Sequence, residues 1–307
     1  MKSKDLISIL DLALDDIGCL IDLAADLKVS NAPTSLAGRT VALLFEKPSL
    51  RTRVSFDVGI HHLGAHPLYM GGPESQLGVR EPVADLAQVL TKYVDCIVAR
   101  VKVHASLQEL AENASIPVVN ALSDWEHPCQ TLADLLTIKE IKGRLNGVSI
   151  AYIGDGNNVA RSLTLGAASV GANISIASPS GYGLDAQTLE LARQRAAEWT
   201  TTVTTSQSAV EAISKADVVY TDVWTSMGQE SEREVRLKAF AGYSVDEQLM
   251  LQASPKAILM HPMPAHYGEE IPYGMLNNAC SAAFLQAENR LHSHKAVLYH
   301  LIGGRRG

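Results

Sequence analysis

Residues 40–56 read TVALLFEKPSLRTRVSF. The first six, Thr40–Phe45, are apolar and β-branched with no polar alternation, the pattern of a strand buried on both faces. Glu46, Lys47, Pro48 and Ser49 interrupt the run, and the pattern turns helical from about Arg51 to Leu63. A buried strand that feeds a helix through a short polar turn is half of a βαβ unit, and such units build parallel sheets with right-handed crossovers.

The alternation continues outward. Upstream, Leu6, Ile7, Leu10, Leu14, Ile17, Ile21 and Leu27 recur mostly at three- and four-residue spacing, which predicts an amphipathic helix over 5–28. Downstream the pattern predicts helix 83–93, strand 95–99, helix 105–114, strand 117–120 and a longer helix 128–142. After the turn-rich stretch 143–147 a second series starts: strand 148–153, helix 157–170, strand 173–177, helix 184–198 and strands 217–220 and 257–260. The predicted fold is α/β, with two doubly wound parallel-sheet domains carrying helices on both faces. The expected boundaries are 1–142 and 143–283, with a final helix in 284–307 that returns to the first domain. Ligands of such open sheets bind beyond the carboxyl ends of the strands.

Composition narrows the function. The 307 residues are 47% hydrophobic and 19% charged, so real cores are affordable and disorder is not expected. A formal charge of −7 argues against nucleic-acid binding through a basic face, although a local pocket for a small anion is still allowed. No run of about 18 apolar residues offers a membrane span. The first residues are broken by Asp11, Asp15 and Asp16, unlike a signal or transit segment. The four cysteines are scattered without a C-x-x-C pair, so neither a disulfide framework nor a metal site is expected. The expectation is a cytoplasmic protein.

Six stretches can carry chemistry, and each also has an ordinary structural use. Ser49, Leu50, Arg51, Thr52 and Arg53 open a helix after a strand. Backbone N–H groups, hydroxyls and guanidinium forks there suit a phosphate or carboxylate, but the same residues make a capped helix start. His127-Pro128-Cys129-Gln130 opens the long helix; His127 can donate to a carbonyl or simply cap, and Gln130 can hold an amide. Gly154-Asp155-Gly156-Asn157-Asn158 lacks a full dinucleotide fingerprint, since position 159 is Val. Its glycines serve the backbone or its amides meet an amino-acid substrate. Asp222, followed by Trp224, Ser226 and Met227, can pair with an ammonium group or cap a helix. His261-Pro262-Met263-Pro264 forces a stiff path whose carbonyls either face a ligand or merely turn the chain. Arg290, on the last helix, reads by itself as a salt-bridge residue.

Taken in order, these motifs strongly resemble the aspartate/ornithine carbamoyltransferase family, from roughly Leu6 to Leu301. The run Phe45–Phe56 is similar to the family's carbamoyl-phosphate signature, with Leu50 where Thr is common. His127-Pro128-Cys129-Gln130 is similar to its H-P-x-Q motif, and Arg100 falls where the family keeps an arginine. The stretches 154–159 and 222–230 and the loop Ser75-Gln76-Leu77-Gly78 resemble ornithine-type members. The tetrad at 261–264 departs from their H-C-L-P, because Pro262 replaces Cys, and Tyr267 stands where Arg is common.

The resemblance implies transfer of the carbamoyl group of carbamoyl phosphate to the δ-amine of L-ornithine, yielding citrulline. It implies carbamoyl-phosphate contacts from Ser49, Leu50, Arg51, Thr52, Gln76, Arg100, His127, Gln130, Pro262, Met263 and Arg290. Arg100, His127, Thr52 and Asp222 would act in catalysis, and Asn158, Asp222, Ser226 and Met227 would hold ornithine. Neither metal nor organic cofactor is expected. Gln76 would reach into a neighbouring subunit, which implies a homotrimer or a multiple of trimers. The rival readings are a carbamoyltransferase for another amine, such as putrescine, lysine or an N-acylated ornithine, a non-catalytic binder on the same fold, and a nicotinamide dehydrogenase.

Overall fold

The computed structural model describes residues 3–30, 35–226 and 228–303. In chain order it forms α1 (Leu14–Val29), β1 (Thr40–Phe45), α2 (Leu50–His62), β2 (His66–Gly71), α3 (Val83–Tyr93), β3 (Cys96–Arg100), α4 (His104–Asn113), β4 (Val118–Leu122) and α5 (Pro128–Lys142). There follow β5 (Ser149–Ile153), α6 (Asn158–Ser169), β6 (Asn173–Ala177), α7 (Ala186–Ala197), β7 (Val203–Ser206), α8 (Ala209–Ile213), β8 (Val218–Thr221), α9 (Arg233–Ala239), α10 (Glu247–Met250), β9 (Ile258–Met260) and α11 (Ala283–Leu298). The chain divides into two compact units, Met1–Leu136 with Glu288–Gly307, and Thr137–Ala287. The divisions fall inside α5 and α11, a few residues from the boundaries expected after 142 and 283.

Each unit is built on one parallel sheet. The first has strand order β2-β1-β3-β4 and the second β7-β6-β5-β8-β9. Parallel neighbours need crossover connections, and helices supply them. Both orders reverse direction once, between β1 and β3 in the first sheet and between β5 and β8 in the second. At these switch points the loops leaving adjacent strands diverge and open a crevice. Phe45 is paired with Arg100 at the first, and Ile153 with Thr221 at the second. In the first unit Ala42, Leu44, Ile97 and Ala99 bury one sheet face with Val83, Ala87, Leu107 and Leu110 of α3 and α4. In the second, Ala151, Ile153, Val219 and Leu259 do so with Ala212 and Ile213 of α8. Helix α6 is buried along its whole length from Val159 to Ser169. Its Arg161 pairs at 2.8 Å with Asp185, the N-cap of α7.

Three expectations are corrected. Residues 5–28 are not one helix. Leu6 instead forms a parallel bridge with Val119 of β4. The Asp11 carboxylate accepts the N–H groups of Ile7 (2.7 Å) and Ser8 (2.9 Å), which turns the chain before α1. Strands β2 and β7 were not anticipated. Both lie at sheet edges, where a strand need not be apolar and Pro67 is tolerated. The last helix ends at Leu298 and passes into a π-helical turn, Tyr299–Gly303. Among the described residues no helix is long and apolar enough to cross a membrane.

Candidate active site

At the first switch point Ser49 caps α2, its Oγ accepting the Thr52 N–H at 3.4 Å. Leu50 is 75% exposed, so its side chain contributes nothing to the cap and its backbone N–H starts the helix. Arg51 is half-buried, and burial lowers its pKa. Thr52 is buried, and its hydroxyl accepts a hydrogen bond from Arg290 of α11, 238 positions away in sequence. Arg100 ends β3, where its pairing with β4 is irregular, and its Nε is buried without a hydrogen-bond partner. Burial first, then the charges of Arg290 and Arg51, push the Arg100 pKa down to about 10. Three guanidinium groups therefore sense one another at this point. Such a cluster is stable only at a cost that a bound anion would relieve.

His127 immediately precedes α5. Burial, followed by Arg290, Arg100 and His294, holds its pKa well below the usual histidine range. The ring is neutral at physiological pH and can donate a hydrogen bond without bringing a charge. Gln130 is buried; its Nε2 donates to Asp134 Oδ1 at 2.8 Å, and its Oε1 has no partner. The amide is thus turned so that a carbonyl oxygen is on offer. Gln76 follows the 3-10 turn Gly72–Ser75. That turn is pinned to the end of β1, because Ser75 Oγ donates to the Phe45 carbonyl (2.7 Å) and the Leu77 N–H to Glu46 Oε1 (2.9 Å).

At the second switch point Asp222 directly follows β8 and is buried. Its Oδ2 accepts from Asn157 Nδ2 at 2.8 Å. The Oδ1 of the same Asn157 accepts the N–H groups of Val159 (2.9 Å) and Ala160 (3.0 Å), capping α6. Burial is the main influence raising the Asp222 pKa, and nearby His261 and then the Asn157 hydrogen bond work against it. Asn158 is half-buried at the first position of α6. Gly156 has a backbone reason to be glycine, since a Cβ there would lie 2.5 Å from the Gly183 carbonyl carbon.

The stretch after Asp222 is clamped from α9. Arg236 Nη1 donates to the Trp224 carbonyl (3.0 Å) and pairs with Asp155 Oδ2 (3.1 Å). Burial nevertheless pushes the Asp155 pKa up to about 6. Ser226 is half-buried, and its N–H donates to Gln229 Oε1 at 3.0 Å. Met227 lies outside the described residues. After β9, Pro262 is buried and Met263 adopts a left-handed φ of 53°. One ligand-type atom each of His266, Glu269 and Glu270 lies within 4.8 Å of the others, a grouping that acidic residues commonly make without an ion. One oxygen of each carboxylate is already engaged, with Arg233 at Glu269 and with His261 at Glu270.

In the first unit the structure therefore brings Arg51, Arg290 and His127 within electrostatic reach of Arg100, with Thr52 bonded to Arg290 and Ser49 capping the same helix, and in the second it ties Asp222 to the start of α6. The sequence reading missed Asn157 as the partner of Asp222, Arg236 as the clamp and Asp134 as the residue that turns Gln130. An Asn directly before a helical pattern is a capping signal, so only Asn157 was open to detection.

Two doubly wound parallel units, one with clustered arginines at its switch point and the other with an amide-held carboxylate, define an α/β protein whose strand ends present charged groups suited to small ligands. Comparison with known proteins narrows the class. Residues 4–140 match the carbamoyl-P binding domain of aspartate/ornithine carbamoyltransferase, and residues 146–301 match its Asp/Orn binding domain. The chain belongs to the aspartate/ornithine carbamoyltransferase family. It is similar to the ornithine carbamoyltransferase of Anoxybacillus flavithermus, 47% identical over 98% of each chain. It is also similar to that of Bacillus subtilis, 49% identical over 97% of this chain and 93% of the relative. The solved structure of ornithine carbamoyltransferase from Pyrococcus furiosus superposes with a TM-score of 0.96, at 44% identity over 98% of each chain.

Proposed function

We propose that this protein transfers the carbamoyl group of carbamoyl phosphate to the δ-amine of L-ornithine, giving L-citrulline and phosphate. The observation that carries this reading is the contrast of charge between the two switch points. Clustered guanidinium groups suit a phosphate dianion. A buried carboxylate held by an amide suits an acceptor that brings a cation, and it would repel aspartate. The names of the relatives support the same substrates.

Carbamoyl phosphate would bind through the N–H groups and side chains of Ser49, Leu50, Arg51 and Thr52, together with Arg100 and Arg290. Its carbonyl oxygen would accept from Thr52, Arg100 and neutral His127. Charge grows on that oxygen as the amine attacks, and fixed donors of this kind contribute up to about 3–4 kcal/mol each. Gln130 Oε1 and the carbonyls of Pro262 and Met263 would take the carbamoyl NH2. Asp222 would orient ornithine, with Asn158, Ser226 and Met227 at its α end. The neutral δ-nitrogen forms the new bond to carbon, the bond from carbon to the phosphate oxygen breaks, and phosphate leaves with the amine proton. No separate protein base is required, and much of the rate comes from orientation of two bound reactants.

The reading extends to a cytoplasmic homotrimer, or a multiple of trimers, in which Gln76 completes a neighbour's site. A Pyrococcus furiosus relative, 44% identical, is named as the anabolic enzyme, which supports a role in arginine biosynthesis. Pro262 in place of the family's usual Cys favours one second reading, transfer to a different amine.

The deciding experiment supplies carbamoyl phosphate with L-ornithine, putrescine, L-lysine or L-aspartate and measures carbamoylated product. Citrulline from ornithine alone is expected. Product only from another amine would overturn the acceptor assignment, and binding without product would leave a non-catalytic relative. Light scattering should give three chains per particle or a multiple, and a monomer with full activity would refute the role given to Gln76.

A further inference from the structure

His261 opens the turn after β9 and has no part in the reaction as assigned above, yet it is fully buried and tied at three points. Its backbone N–H donates to Gln286 Oε1 at 2.9 Å, and Gln286 Nε2 in turn donates to the Tyr220 hydroxyl on β8 at 3.1 Å. Its Nδ1 lies 2.9 Å from the Met263 nitrogen, and its Nε2 lies 3.1 Å from Glu270 Oε1. A backbone N–H can only donate, so Nδ1 carries no proton. The ring proton therefore sits on Nε2 and points at the Glu270 carboxylate. The same Glu270 oxygen accepts the His266 N–H at 2.6 Å, which anchors the far end of the turn.

The residue held by Nδ1 is in an unusual state. Met263 has a φ of 53°, a left-handed conformation that residues with a Cβ rarely adopt. Such a backbone persists only where its surroundings over-determine it. The bond to His261 is one such constraint, and it acts on the backbone whose carbonyls were assigned to the carbamoyl NH2.

We propose that His261 is a positioning residue. As a neutral Nε2–H imidazole oriented by Glu270, it locks the Pro262–Met263 backbone in the conformation that presents those carbonyls. The proposal rests on the carbamoyl-transfer reading for its kinetic consequence, and on the geometry alone for its tautomer.

Two substitutions separate the two ends of the ring. In His261→Asn the side-chain oxygen takes the place of Nδ1 and accepts from Met263, but nothing reaches Glu270. In His261→Gln the longer side chain reaches Glu270 and leaves the Met263 N–H unheld. The expected result is that His261→Gln lowers kcat about 30- to 100-fold, with KM for carbamoyl phosphate changed less than about threefold, since misorientation acts on the chemical step. His261→Asn should recover kcat to within about fivefold of wild type, with the melting temperatures of the two variants within a few degrees of each other. Equal activity of the two variants, whether both intact or both impaired, would overturn the proposal. So would an impairment that simply follows loss of melting temperature. Histidine nitrogen NMR of the wild-type chain, with the His261 signal identified by its absence from His261→Asn, gives a readout independent of turnover. A proton on Nδ1 would overturn the assignment, whereas absent turnover in wild type would fail only the reaction reading.

Discussion

The two switch points achieve readiness for a ligand by opposite means. In the first unit Arg100 is acted on by two other cations, Arg290 and Arg51, and its Nε stays buried without an acceptor. In the second, Asp222 is matched by Asn157, Asp155 by Arg236, and His261 by Glu270. One region keeps like charges together, a strain that an anion would discharge; the other has settled its charged groups on partners within its own unit, with burial still raising the pKa of Asp222 and Asp155, and supplies geometry. The difference teaches where affinity and where orientation should be sought: charge for the donor, preorganised hydrogen bonds for the acceptor.

The sharpest way to break this contrast is Arg51→Ala. Hydrogen bonds between charged groups contribute about 1.5–3 kcal/mol each, and loss of a forked pair should lower kcat/KM for carbamoyl phosphate by roughly 10³-fold. Near-normal kinetics would remove the arginine cluster from donor binding. Next in size is Asp222→Ala. It should lower kcat/KM for ornithine by about 10²-fold while calorimetry still finds carbamoyl phosphate bound. Loss of both ligands would mean that Asp222 supports the fold of its unit, not acceptor orientation.

Inorganic phosphate tests the strain directly. A ligand that binds only the folded state stabilises it by mass action. Saturating phosphate should therefore raise the wild-type melting temperature by about 3–8 °C and leave Arg51→Ala unmoved. An equal rise in both would place the anion elsewhere.

The smallest effect concerns the settled region. Burial favours protonation of Asp185, but hydrogen bonds from Arg161 and Thr188 and the Arg161 charge outweigh it and hold its pKa at about 2. The folded value lies below the ordinary 3.8, so the unfolded chain binds more protons between the two. The stabilisation is complete above about pH 4 and is lost as pH falls through 2. Because Asp185 is partly exposed, solvent screening reduces its worth. Asp185→Asn should lower the melting temperature by roughly 1–3 °C at pH 7, and the two proteins should converge by pH 2. A constant gap across that range would assign the effect to the helix cap instead of the ion pair.

Legibility in the sequence followed burial. The interior strands β1, β3, β5, β6 and β8 are apolar enough to show themselves as runs, and the parallel fold follows from their alternation with helices. The edge strands β2 and β7 escaped because His66, Pro67 and the Thr-Thr-Ser of β7 obey solvent on one side. The helix predicted from Leu6 failed because two N–H groups found Asp11, a local bond that periodicity does not record. The candidate site was legible where it is local, as in the Ser49-to-Arg53 helix start, and through family resemblance where it is not, as with Arg290. What escaped was relational. The bond between Arg290 and Thr52, the two-handed use of Asn157 and the tautomer of His261 each depend on residues brought together only by the sheets.

Helix α6 has no wet face. Every residue from Val159 to Ser169 is buried, and even Thr164 and Ser169 turn their hydroxyls back onto carbonyls of their own helix. Such a helix cannot fray a turn at a time into solvent. Its amides should exchange with deuterium only through opening of the whole unit, which makes them among the slowest in the chain. Asn157, bonded to Asp222 and to the first turn of this helix, thus moors that carboxylate to a segment that stays closed for as long as the unit itself remains folded.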